Sequence, residues 1–167
     1  MSKIRFCVMS DTHGDTQYMD AIISKYNGVV NNWFHCGDSE LPPELIMRNF
    51  VGVRGNCDYF AGLPITRDVK FPFGTVHLEH GNRTGGITPE YIKSCNCKYF
   101  FSGHTHKKLF NELDGEIYQF NPGSLMRPRD GMFGSFLFID LDDQTGKLIS
   151  YQFKLIDPVT EIGRAHV

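Results

Sequence analysis

No apolar run in this chain approaches a membrane-spanning length. The stretch IRFCVMS near the N-terminus is too short and too β-branched for an export signal, and Asp11 follows it at once. A disulfide framework is missing as well. The five cysteines are odd in number and scattered, which without an export signal predicts reduced thiols in a cytoplasmic protein. Basic charge is not in excess: the formal net charge of −2 argues against a stable nucleic-acid partner. A small phosphorylated substrate would have to be drawn in locally, by metal ions or a few arginines. Internal repeats, linkers and low-complexity segments are absent, so residues 1–160 read as one domain with a sizeable core. What the chain does have is aromatic bulk, 14 Phe and 7 Tyr, which predicts a large, strand-rich core.

Alternation and turn residues predict strands at Ile4–Met9, Asn32–Cys36 and Phe50–Arg54, with helices near Thr16–Tyr26 and Pro43–Asn49. A hairpin, Arg67–Phe71 and Thr75–Glu79, turns at Pro72-Phe73-Gly74. Thr88-Pro89 reads as an N-cap with Pro at the first helical position, opening a helix to about Cys95. Strands follow at Lys98–Ser102, Lys108–Leu113, Glu116–Asn121, Gly134–Asp140 and Lys147–Leu155, with Asp114-Gly115 and Thr145-Gly146 at hairpin turns. The first half alternates strand and helix, and the second half reads as mostly antiparallel. The expected fold class is mixed α/β, two packed sheets with helices on the outer faces, an α/β/β/α sandwich.

Five short polar clusters each follow a strand-like run: Asp11 and His13, Asp38, Asn56, His80, then His104 and His106. Parallel strands would deliver all of them to one rim, where open α/β sheets bind ligands. Carboxylates supply charge, and imidazole suits Mn, Fe, Co, Ni or Zn better than Mg. A carboxylate at Asp38 can bridge two ions, and the Asn56 amide oxygen can ligate one. His104 and His106, one residue apart, cannot easily share an ion but can each serve a different one on a turn. Seven such side chains are too many for one ion and suit two, the pattern of a binuclear metallohydrolase.

In order, Asp11-Thr12-His13, Gly37-Asp38, Gly55-Asn56-Cys57-Asp58, His80 and Gly103-His104-Thr105-His106 resemble the signature of the calcineurin-like metallophosphoesterase superfamily. The likeness spans residues 4 to about 155, and Asn121-Pro122-Gly123-Ser124 is similar to the compact bacterial and archaeal phosphodiesterase branch. The resemblance implies a metallophosphoesterase-like fold with two divalent ions, Mn foremost and Ni, Co, Fe or Zn as alternatives. Asp11, His13 and His106 would hold one ion, Asn56, His80 and His104 the other, and Asp38 would bridge them. A hydroxide between the ions would attack a small phosphodiester in line. Asn56 would contact the phosphoryl group, and Asn82 and Arg127 the substrate. A eukaryotic retromer subunit that looks like this branch serves chiefly as a scaffold, so the alternative is a metal-binding protein–protein scaffold with little or no catalysis. Association into a homo-oligomer stays open.

Two positions depart from many relatives. Cys57 stands where a His often assists the leaving group, and a thiol is a weaker donor and a poor neutral-pH acid. That favours diesters with good leaving groups. Asn82 stands where compact relatives often carry another His. His35 and His77 are expected to be structural, and Asp58 to orient a neighbour. Cys95 and Cys97 lack a partner pair for a metal site. Arg54, Arg83 and Arg129 default to solvated charge, although Arg129, like Arg127, follows the closing loop and is a better substrate contact. Residues 161–167, Glu161-Ile162-Gly163-Arg164-Ala165-His166-Val167, read like translated sequencing-library adapter. They are expected to be a non-native read-through tail, and His166 is excluded from any site.

Overall fold

The computed structural model describes residues 2–156 and 162–165. Its first strand, β1 (Lys3–Met9), shows how the layers arise. Phe6 and Val8 point to one face and join Phe34, Leu78, Tyr99, Phe101, Phe120 and Ile139 between two sheets. Cys7 and Met9 point to the other and pack with Met19, Ile22, Ile46, Phe136 and Phe138 beneath helices. Two apolar faces on one strand require cover on both sides, so β1 is a central strand.

After β1 come α1 (Gln17–Lys25), β2 (Asn32–His35), α2 (Pro43–Met47) and β3 (Val51–Gly52), with β1, β2 and β3 parallel. The Asp15 carboxylate accepts the Tyr18 and Met19 N–H groups and so starts α1. The second sheet holds β4 (Thr66–Phe71), β5 (Gly74–Glu79), β6 (Tyr99–Phe101), β7 (Lys108–Leu113) and β8 (Ile117–Pro122) in the order β4-β5-β6-β8-β7. Helix α3 (Pro89–Ser94) links β5 to β6 and is capped by Thr88, whose Oγ1 accepts the Tyr91 N–H. Its Ile92 packs on Phe100 and Leu113 over the outer face of that sheet. The chain then returns to the first sheet as β9 (Gly134–Asp142), β10 (Leu148–Ile156) and β11 (Ile162–Ala165), giving the order β11-β10-β9-β1-β2-β3. The α/β/β/α sandwich expected from the sequence is therefore the one observed.

Two details differ. β3 is only two residues long, because the Arg54 N–H leaves the sheet for the Pro64 carbonyl. The second half is less antiparallel than the pattern suggests: β5, β6 and β8 run parallel. The β7–β8 hairpin, turned at Asp114-Gly115 with φ of 53° and 66°, carries β8 back beside β6. Residues 162–165 of the suspected tail pair with β10, while 161, 166 and 167 lie outside the described residues. Among the described residues no helix is long and apolar enough to cross a membrane.

Candidate metal centre

Parallel strands β1, β2 and β3 in one sheet and β5 and β6 in the other end at the same rim, and each is followed by one polar cluster. Five of the expected ligands, Asp11, His13, Asp38, His104 and His106, have φ between 43° and 72°. That left-handed region costs an L-residue roughly 1–2 kcal/mol, less for Asp with its local hydrogen bonds. Such concentration at one rim marks a backbone bent to aim side chains inward. Two glycines allow the close approach: a Cβ at Gly55 would collide with Asp38 Oδ1, and one at Gly103 with Ser10 Oγ.

The imidazoles share one orientation. His80 Nδ1 donates to the Cys36 carbonyl at 2.8 Å, His106 Nδ1 to the Arg127 carbonyl at 2.6 Å, and His13 Nδ1 to Glu40 Oε1 at 2.5 Å. Each neutral ring then carries its proton outward and presents a bare Nε2 lone pair inward. Asp11 Oδ1 lies 3.1 Å from His106 Nε2 and 3.8 Å from the Nε2 atoms of His13 and His80. That oxygen and His80 Nε2 are buried without hydrogen-bond partners. Acceptors face acceptors, and only a cation can satisfy all of them at once. Asp11, His13 and His106 form one group of ligand atoms within 4.8 Å of one another, and Asp11, Asp38 and His80 form a second. The donor set thus fits divalent metal, with Asp11 reaching into both groups.

Asp38 remains charged. Burial works against its carboxylate, but neighbouring His80 and the Cys57 N–H, donating to Oδ1 at 2.7 Å, bring it down to about 2. His104 is exposed, with its ring 5.1 Å from that of His80. Desolvation and His80 hold it below the ordinary imidazole value, so its lone pair is free to ligate. Asn56 is exposed and donates to Cys57 Sγ at 3.6 Å. Burial, and then Asp38, push the Cys57 thiol up.

His13, Asp38, Asn56, Cys57, His104, His106, Arg127 and Arg129 line one cavity of about 420 Å³. Asn82 does not reach it and lines two neighbouring hollows. Arg54 is engaged locally, donating to the Asp58 carbonyl.

A supporting layer holds these groups. Asp58 accepts the N–H groups of Asp38, Glu40 and Gly55. His35 accepts the Gly37 N–H and meets Thr12 Oγ1, and burial lowers it to about 4, so it is a neutral strut. The Asn121 amide donates to the Gly103 carbonyl and Thr105 Oγ1, and Ser124 Oγ donates to the Asp11 carbonyl. The closing Asn-Pro-Gly-Ser loop therefore buttresses the first and last ligand turns. Sequence reasoning missed Ser10, which donates to Asp11 Oδ2, and Glu40. Position beside Asp11 and two residues past Asp38 was the only available signal for either.

Residues 4–144 match the calcineurin-like phosphoesterase superfamily domain. Over 151 residues the chain is 27% identical to a probable metallophosphoesterase, YsnB of Bacillus subtilis (strain 168), spanning 86% of this chain and 88% of that one. Over 106 residues it is 33% identical to phosphodiesterase YfcE of Escherichia coli (strain K12), spanning 58% of this chain and 55% of the relative. A crystal structure from Streptococcus pneumoniae TIGR4, of a conserved protein described as a predicted phosphoesterase, superposes with a TM-score of 0.80 at 26% identity, covering 99% of this chain and 97% of that one.

Proposed function

The chain belongs to the calcineurin-like phosphoesterase superfamily, and on that premise we propose that it is a metal-dependent phosphodiesterase acting on small phosphodiesters. Two divalent ions, Mn foremost with Ni, Co, Fe or Zn as alternatives, would be held by Asp11, His13, Asp38, Asn56, His80, His104 and His106. Three outward-protonated imidazoles turning bare Nε2 atoms toward unpartnered Asp11 Oδ1 carry the reading. Bound there, the ions supply Lewis-acid charge and make water a better nucleophile.

The chain's own groups account for the rest. The Asn56 amide can donate to a phosphoryl oxygen, and Arg127 and Arg129, on the same cavity, can pair with its charge. A water oxygen bonds to phosphorus and gives up a proton to solvent, the ester P–O bond breaks, and its electron pair departs on the alcohol oxygen. The Cys57 thiol, with its pKa raised, is a poor proton donor for that oxygen. A phenolate departs without a proton, whereas an alkyl alkoxide does not, and aryl diesters are favoured accordingly.

Bis(4-nitrophenyl) phosphate with Mn²⁺ tests the activity. Turnover that disappears with chelator and returns with metal is expected; absence of turnover under every divalent metal would overturn it. The scaffold alternative draws on Tyr59 and Met132, 86% and 85% exposed, just beyond Asp58 and Arg129. Partner binding that persists after both are changed to Ser would remove that support.

A further inference from the structure

Beside the metal cavity lies a second, of about 430 Å³, and His104 lines both. It opens on the outer face of the second sheet, where β8 turns Gln119 and Asn121 away from the core that takes Tyr118 and Phe120. Ile87, on the loop after β5, and Leu109, on β7, supply apolar walls. Gln119 is only 7% exposed, yet its side-chain amide has no hydrogen-bond partner among the described residues. Neighbouring Asn121 is spent, donating to Gly103 and Thr105 and accepting from Gly123. The Gln119 amide faces the cavity with donor and acceptor both available to a ligand.

We infer that this cavity receives a nucleobase, so that the phosphodiester hydrolysed at the metal centre carries a nucleoside as its retained ester group. The inference rests on the phosphodiesterase reading above. A Gln amide presents one acceptor and donors in a single plane and pairs edge-on with the donor–acceptor edge of a base. Ile87 and Leu109 offer apolar contact to flat ring faces, and the volume lies in the range of small-ligand sites, roughly 300–1,000 Å³. With phosphorus among the metal ligands, the ester group passing His104 enters this cavity. A substrate with only a simple aryl or alkyl group there would leave the Gln119 amide unpaired.

Wild-type protein with Mn²⁺ is assayed on thymidine 5′-(4-nitrophenyl) phosphate and on phenyl 4-nitrophenyl phosphate, which release the same phenolate. The ratio of kcat/KM for the two is the readout, since a folding defect lowers both alike. Gln119→Leu is expected to lower that ratio about tenfold, the loss of about 1.4 kcal/mol of selective binding. Leu109→Trp, at an exposed position on the wall, should lower it also. A ratio that stays within about twofold in both variants would overturn the inference. Should wild type turn over neither diester, the phosphodiesterase reading itself fails. Calorimetric binding of thymidine 5′-phosphate with Mn²⁺ then decides: about tenfold weaker binding to Gln119→Leu supports the base site, and equal affinity refutes it.

Discussion

His80 Nε2 stands 3.0 Å from Asp38 Oδ2, a distance suited to a hydrogen bond that is not made. Nδ1 is engaged with the Cys36 carbonyl, so in the neutral ring two lone pairs oppose each other across the gap. Burial works against a second proton on Nε2, but Asp38 and Asp11 outweigh it and raise the His80 pKa. With the ring neutral the pair is repulsive, and it becomes favourable when a proton or a metal cation enters.

Asp38→Asn separates those effects. The new amide can donate to a neutral His80 Nε2, so at a pH above the raised His80 pKa the metal-free variant should melt no lower than metal-free wild type. Bound metal should fall and turnover drop by at least about a hundredfold. Elemental analysis, melting curves and aryl-diester kinetics on one preparation check all three. A fully active variant would show that Asp38 does not bridge.

Glu40 acts through His13. Removing the carboxylate in Glu40→Ala frees the ring that Glu40 fixes at 2.5 Å. Metal affinity, measured by chelator competition, should weaken about 10- to 100-fold. Glu40→Gln retains an acceptor oxygen and should recover much of it, which loss of fold would not.

Cys57→His places an imidazole where the thiol now stands on the wall of the metal cavity. Activity on monoesters with poorer leaving groups should rise by at least about tenfold, within the range of general-acid contributions. An unchanged profile across leaving groups would mean that position 57 only packs.

His77, on the outer face of β5, bonds Asp68 and Glu79, and Glu79 also accepts from Tyr91. Burial opposes the charge on His77, but Glu79 and Asp68 outweigh it and raise its pKa. Burial likewise opposes the charge on Glu79, and His77 and Tyr91 outweigh it and lower its pKa. The His77 contribution is complete below the unfolded value of about 6.5 and disappears as pH rises through the raised one. That of Glu79 is complete above about 4.3 and disappears as pH falls through the lowered one. The gap in melting temperature between wild type and His77→Gln should therefore be widest between about pH 4.3 and 6.5 and narrow by pH 9. A gap independent of pH would assign the loss to packing on Phe100 alone.

Much of the fold was legible because periodicity is a local property. Phe6–Met9 is an unbroken apolar run, and both of its faces are buried as such a run demands. Thr88-Pro89 starts a helix by capping chemistry that needs no distant partner. The β6–β8 pairing was not legible, since neither strand encodes which edge the intervening hairpin leaves open. At the site, ligand residue types at strand ends revealed the constellation. Glu40 stayed hidden because its role depends on a φ of 56° that folds it back onto His13. Gln119 falls within the expected strand Glu116–Asn121, and only the cavity beside it shows that its amide faces a space a ligand can fill.

The metal-ligand turns come from both sheets: Asp11, His13, Asp38 and Asn56 follow strands of one, and His80, His104 and His106 follow strands of the other. Ions seated among them would rivet the two halves of the sandwich at that end. The opposite end is pinned by neutral contacts, with Tyr99 OH donating to the Gly146 carbonyl and Phe73 packed against Gly146. Heat would then part a metal-loaded molecule from the Phe73 end, like a hinged book whose spine is the rim, and removing the ions would leave it without a spine.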